Sequence, residues 1–164
     1  MYQNQLLEKI NKLYEIFTRS VDYLKHPTLL VMRLYWGYKF FEAGKGKFGH
    51  IDKTVEFFQS INIPAAKLNV YIAASTEMVG GLLLLVGLGS RLISIPLAFT
   101  MCIAYLTADN EALHAIFSDP EQFLKAAPFM FLLTAIFVLI FGPGAISIDG
   151  IIKKVVGESL KSNK

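Results

Sequence analysis

Arg33 and Glu77 are ionisable residues set within apolar stretches, and the most suggestive chemistry of this sequence lies with them. On a helix turning about 100° per residue, Arg33, Gly37, Phe40, Gly44 and Lys47 fall within about 40° of one line. The same arithmetic aligns Val70, Ala73, Ala74, Glu77, Gly80, Gly81 and Leu84, a face made mostly of small residues with one acid. Small residues let membrane helices approach closely, so the two faces are expected to meet, with Glu77 neutralising Arg33 between them. Two readings of such a centre stay open. One is an ion pair that only sets helix register; the other is a polar site, with Lys47 beside it, for a quinone headgroup, a proton or an anion.

The remaining chemistry-bearing residues are less suggestive. Lys39 and Glu42 sit about 60° apart and nearly opposite the Arg33 line, which suits a local pair near a helix end. His26, His50 and His114 lie at or beyond the ends of apolar stretches, so no two can ligate a haem from facing helices. His114, beside Asp109 and Glu111, reads as a solvated loop histidine in preference to a surface proton relay. No spacing of His, Cys and carboxylates suggests a metal, and no Gly-rich loop between a strand and a helix suggests a nucleotide. The single cysteine, Cys102, excludes a disulfide or a CxxC pair within the chain. Tyr35, Trp36, Tyr38 and Phe40 gather aromatic rings that suit a quinone cleft, packing or lipid contact alike.

The elements that must position these residues are helices. In residues 5–25, Leu6, Ile10, Leu13, Phe17, Val21 and Leu24 recur at helical spacing among Lys9, Lys12, Glu15, Arg19 and Asp22. This predicts an amphipathic helix, placed in the membrane interface in preference to a partner groove. His26-Pro27 is expected to end it, with Pro27 in the first turn of the next helix. Four apolar stretches follow, at 28–43, 70–88, 92–108 and 123–141. Each approaches the length that crosses ~30 Å of hydrocarbon at 1.5 Å per residue. A short interfacial helix is expected near 54–59 and a turn at Asn62-Ile63-Pro64, while the tight Leu88-Gly89-Ser90-Arg91 link makes the second and third stretches an antiparallel hairpin. Gly142-Pro143-Gly144 stops the fourth, and 151–160 reads as a short amphipathic tail.

The fold class is therefore all-α, a four-transmembrane-helix bundle with an N-terminal amphipathic helix. Its parts are residues 1–27, a membrane domain at 28–150 and a cytoplasmic tail at 151–164. Composition agrees: of 164 residues, 54% are apolar and 18% charged, with a mean hydropathy of +0.46. The net charge of +3, with no dense basic run, gives nucleic-acid binding no support. Residues 1–27 lack the apolar core and cleavage site of a secretory signal, so targeting falls to the first membrane helix. Positive residues resist translocation. One side collects Lys9, Lys12, Arg19, Lys25, Arg91, Lys153, Lys154, Lys161 and Lys164. The other holds Lys45, Lys47, Lys53, Lys67 and Lys125, diluted by Asp109, Glu111, Asp119 and Glu121. Both termini are expected to face the cytoplasm.

Arg33-x3-Gly37-x2-Phe40-x3-Gly44-x2-Lys47, followed by Glu77-x2-Gly80-Gly81, the apolar run 82–88 and Arg91, resembles the signature of the DoxX family of small bacterial membrane proteins. Gly142-Pro143-Gly144 with Ser147 and Asp149 is similar to that family's ending, so the resemblance covers about residues 28–153. It implies a four-helix membrane fold and carries the family's recurring positions onto Arg33, Lys47, Glu77, Arg91 and Asp149. Some relatives are linked to a thiosulfate:quinone oxidoreductase subunit, others to membrane complexes that handle oxidative and thiol stress. The resemblance thus implies a redox-complex subunit of a bacterial inner membrane, with quinone as the one cofactor to expect and an oxidoreductase as partner; the bilayer is a partner on composition, and assembly into a homo-oligomer stays open. A non-enzymatic scaffold or a carrier of lipids or other small molecules is the alternative. Lys39 and Glu42 depart from the mostly apolar first helix that the resemblance implies, and the long amphipathic N-terminus is unlike the family's shortest members, which puts a specialised cytoplasmic partner in play.

Overall fold

The computed structural model describes residues 2–162, with side chains for residues 7–158. Leu6, Leu160, Lys161 and Lys164 of the readings above lie outside the described side chains. The described chain is all-helical. Its helices are α1 (Tyr2–Gly49), α2 (Ile51–Ser60), α3 (Ala66–Val86), α4 (Ser90–Thr107), α5 (Asn110–His114), α6 (Pro120–Lys125), α7 (Pro128–Phe141) and α8 (Ile148–Ser162).

The expected break at His26-Pro27 is absent: Pro27 lies inside the continuous α1. Proline removes one backbone donor and crowds the preceding turn. The carbonyl left without a donor is that of Tyr23, an exposed residue, while the Thr28 hydroxyl donates to the next carbonyl, that of Leu24, at 2.8 Å. The fourth stretch, in contrast, is two helices. Ala126 takes an extended conformation (φ −59°, ψ 139°) that ends α6. Pro128 then opens α7, where a missing N–H is harmless. At 14 residues α7 spans only about 21 Å. The other expectations fall close to the observed bounds: α3 and α4 form the hairpin, α2 covers 54–59, and α8 contains 151–160. Between α3 and α4, Gly87 and Gly89 both take left-handed conformations (φ 74° and 57°), which is what makes so short a reversal accessible.

Around the ring α1–α3–α4–α7, each helix packs on the next and α7 closes back on α1. Between α1 and α3 the contact is backbone to backbone. A methyl group on Gly44 would lie 2.4 Å from the Met78 nitrogen and 2.6 Å from the Ala74 oxygen; one on Gly81 would lie 2.4 Å from the Phe41 nitrogen. Phe40, Leu84, Leu97, Met101, Ala135 and Val138 fill the centre. Phe131 of α7 stacks edge-on against Phe40 and Trp36 of α1, at 4.6 and 5.0 Å between ring centroids. Gly80 faces a different neighbour from Gly81, the Leu97 side chain of α4.

The outer faces are apolar as well. Leu68, Ile72 and Val79 of α3, Leu92, Ile95 and Phe99 of α4, and Ile140 of α7 are all exposed, while Glu77, Arg33, Ser90, Ser94 and Thr134 are buried. Among the described residues, α3 and α4 are long and apolar enough to cross a membrane, and α7 is apolar but shorter.

Candidate functional site

The faces of α1 and α3 meet as their patterns predict, but the expected pair does not form. Glu77 accepts a hydrogen bond and ion pair from Lys47, not from Arg33. The reason is depth. α1 and α3 run antiparallel, with Gly37 against Gly81 and Leu85, and Gly44 against Ala74 and Met78. In that register Glu77 lies near Gly44 and within reach of Lys47, one turn further on, whereas Arg33 stands opposite the far end of α3. Arg33 and Lys47 share a face of α1 but are about 21 Å apart along it. Helical-wheel arithmetic resolves which residues face a neighbour; it carries no information on height.

The carboxylate of Glu77 is buried (3% exposed) midway along α3, while the Lys47 side chain keeps 27% of its surface. One member of the pair is therefore sealed between helices, and the other reaches the edge of the bundle. Lys47 lines a narrow place: Gly44, one turn before it, has no room for a side chain.

At the opposite end, Arg33 is almost wholly buried. Its Nη1 donates to the Pro143 carbonyl at 2.6 Å and its Nη2 to the Ile146 carbonyl at 2.9 Å, while Nε has no partner. The guanidinium thereby holds the Gly142-Pro143-Gly144 reversal after α7, whose carbonyls point inward and need donors. Gly87 leaves room for it, since a methyl there would lie 2.5 Å from Nη1. Asp149 completes the knot from α8. Its two carboxylate oxygens accept from the Gly89 and Ser90 amides at 2.8 and 3.0 Å, and its own amide donates to the Gly87 carbonyl at 3.0 Å. A carboxylate on the orphan amides of a helix N-terminus is a favourable cap. Arg91 adds a bond from Nη2 to the Ile140 carbonyl at 3.1 Å. Asp149→Ala is therefore expected to lower stability by about 1–2 kcal/mol, read as an earlier thermal transition in detergent; an unchanged transition would contradict the capping role.

The other expected residues fall elsewhere. Lys39 and Glu42 pair with each other at 2.8 Å on the outward face of α1. His114 ends α5 and is exposed. An open surface depression beside it is lined by Asp109, Glu111, Asp119, Glu121 and Lys125; a second is lined by Gln59, Ala65 and Tyr71. Neither is bounded by Arg33, Lys47 or Glu77. Among the described residues no group of His, Cys, Asp and Glu could hold a metal ion. Sequence reasoning overlooked the knot as a unit. Its signal was present in the Gly-Ser-Arg hairpin, the Gly-Pro-Gly stop and Asp149, but nothing in their spacing said that the acid reaches across to cap α4.

Similarity to known proteins is consistent along the chain. The DoxX family model matches residues 28–110. A Bacillus subtilis protein bearing the name "Putative oxidoreductase CatD" is 30% identical over 145 residues, which is 88% of this chain and 93% of that protein. An uncharacterised protein of Haemophilus influenzae is 24% identical over 134 residues, 78% of this chain and 85% of the relative. No solved structure matches the chain significantly.

Proposed function

This chain belongs to the DoxX family of membrane proteins, and from that premise we propose that it is a multi-pass subunit of a redox complex in which the Lys47–Glu77 pair receives a quinone headgroup. In this reading α1, α3, α4 and α7 all cross the bilayer of a bacterial inner membrane. The Arg33–Asp149 end, with Lys25 and Arg91, faces the cytoplasm together with both termini. What supports the membrane reading is the distribution of polarity. Charged and hydroxyl groups are buried while the outward faces of α3 and α4 carry large apolar side chains, the arrangement lipid favours and water does not. The apolar windows of α3 and α4 are only 33% and 28% buried, unlike core helices of a water-soluble domain.

The single observation behind the functional reading is a carboxylate sealed at mid-depth next to an ammonium that remains accessible at the bundle edge. An ionisable pair there is a functional-site hypothesis by default. Lys47 has N–H donors to offer a quinone carbonyl; on two-electron reduction the two protons that the ring oxygens take up would enter from solvent by way of the Lys47 ammonium, with the Glu77 carboxylate as its counter-charge. Electrons would come from a partner oxidoreductase subunit. The name of the Bacillus subtilis relative accords with redox work.

One observation favours a second reading, in which the pair only locks α1 to α3: neither depression opens onto Glu77. Purified protein in lipid nanodiscs, titrated with a quinone and read by fluorescence quenching of Trp36, separates the two. The quinone reading expects saturable quenching that Lys47→Met weakens tenfold or more while the helical content stays native. No saturable binding in the native protein rejects it in favour of the structural lock.

A further inference from the structure

Between α7 and α8 the chain crosses the end of the bundle. Ala145 lies beside α1, its amide donating to Nδ1 of His26 at 3.1 Å. Ser147 lies next to Gly87, where an added methyl would come within 2.5 Å of its Cβ. Asp149, in the first turn of α8, reaches the Gly89 and Ser90 amides. The path thus runs from α1 to the α3–α4 reversal, and α8 leaves the bundle there, at its rim. Leu88 and Leu92, on either side of that reversal, are 39% and 75% exposed. The rim is therefore where the apolar outer surface of α3 and α4 ends. Among the described residues α8 shares no packed face with another helix, and residues 151–156 are all exposed.

A helix surrounded by water has no reason to sort its residues, yet α8 is sorted. At 100° per residue, Ile148, Ile151, Ile152, Val155 and Val156 fall within an arc of about 140°, and all five are exposed. Lys153 and Lys154 lie about 60° beyond the two edges of that arc. From there a long side chain covers the apolar margin with its methylenes and carries its charge to the polar side. Gly150 and Gly157 fall opposite the arc, and a methyl on Gly157 would meet nothing within 4 Å. Glu158 stands near one edge, toward the end of the helix. Residues 150–164 hold four lysines against one glutamate. An apolar arc with flanking lysines suits a helix lying in a bilayer surface, and the net positive charge suits anionic headgroups. Place selects lipid over a protein groove: the helix is tethered at the level where the lipid-facing leucines end, so hydrocarbon already adjoins the arc.

We propose that α8 is a surface helix of the bilayer and not a tail free in the cytoplasm, its isoleucine and valine arc set among acyl chains and Lys153 and Lys154 on anionic phospholipid headgroups. Asp149 then ties the membrane surface to the α3–α4 reversal through the bonds that cap α4.

The inference rests on the membrane reading above, and flotation of the reconstituted protein with vesicles in alkaline carbonate reports that reading separately. In a Cys102→Ala background, single cysteines are placed in the full chain on the arc (Ile152→Cys, Val155→Cys) and opposite it (Lys154→Cys, Gly157→Cys), then spin-labelled. The vesicles contain phosphatidylglycerol and phosphatidylcholine. Labels on the arc are expected to collide with oxygen, which concentrates in hydrocarbon, in preference to a water-soluble nickel chelate. Labels opposite it are expected to do the reverse, the two collision ratios differing about fivefold or more. Lys153→Gln with Lys154→Gln, or vesicles of phosphatidylcholine alone, is expected to lower the oxygen preference at position 152 about twofold or more. Equal access of the nickel chelate to both sides, in protein that still floats, would leave α8 in water and overturn the proposal. Arc labels shielded from oxygen and nickel alike would assign the arc to a protein partner and overturn it equally. An oxygen preference indifferent to anionic lipid would overturn the assignment to anionic headgroups.

Discussion

Gly44→Ala should be among the most damaging single-methyl changes available in this protein. The added carbon would lie 2.4 Å from the Met78 nitrogen, 2.6 Å from the Ala74 oxygen and 2.8 Å from the Met78 Cα. All are backbone atoms of α3, so no rotamer change relieves the clash and the two helices must separate. Overpacking ordinarily costs about 1–3 kcal/mol, and the upper end is expected here because separation also weakens the Lys47–Glu77 contact one turn away. Gly46→Ala is the internal control: its methyl meets nothing within 4 Å. A helical Gly→Ala exchange without a clash stabilises by up to about 1 kcal/mol. Thermal unfolding followed by circular dichroism should therefore move in opposite directions for two glycines only two residues apart. Equal shifts would contradict the close α1–α3 approach.

Glu77→Leu should cost more than the loss of one contact. It leaves the Lys47 ammonium committed to a site between helices with no counter-charge, and breaking one side of a buried pair typically costs about 3–5 kcal/mol. Lys47 is only partly buried and can swing outward, so the lower part of that range applies. The companion result is diagnostic: Lys47→Met combined with Glu77→Leu should recover much of the loss, because replacing both partners by apolar side chains removes the stranded charge. Recovery of stability with loss of quinone binding would give the pair a function beyond holding the helices. A double variant worse than both singles would mean that the two groups act separately.

How much of this was legible in the residues follows from what helical periodicity encodes. The small-residue faces of α1 and α3, the hairpin through Gly87 and Gly89, the α2 segment and the local Lys39–Glu42 pair were all readable, since each depends on spacing within one element or one turn. The partner of Glu77 was not. Choosing between Arg33 and Lys47 requires the vertical register of two helices separated by a long connection, and that register is set by where Gly44 and Gly81 admit a neighbouring backbone. Placing both glycines on the contact face would have sufficed, had the antiparallel register then been counted from them. Pro27 misled for a different reason: proline disfavours helix locally, yet a helix can run through it where the carbonyl it frees, that of Tyr23, belongs to an exposed turn. The split of the fourth stretch was signalled by Pro128 but hidden by the uniform hydropathy on either side. The Arg33 and Asp149 knot joins residues far apart in the chain through backbone carbonyls and amides, and side-chain patterns are blind to such partners.

The central claim is that the acid of the α3 core is held by the lysine near the end of α1, with the arginine of the same face committed to the opposite end of the bundle. Two double-mutant cycles on unfolding free energy test it directly: Glu77→Gln with Lys47→Met, and Glu77→Gln with Arg33→Met. The first should show a coupling of about 1–3 kcal/mol, and the second should be additive within about 0.5 kcal/mol. Strong coupling to Arg33, with additivity to Lys47, would contradict the register of α1 on α3 and the site built upon it.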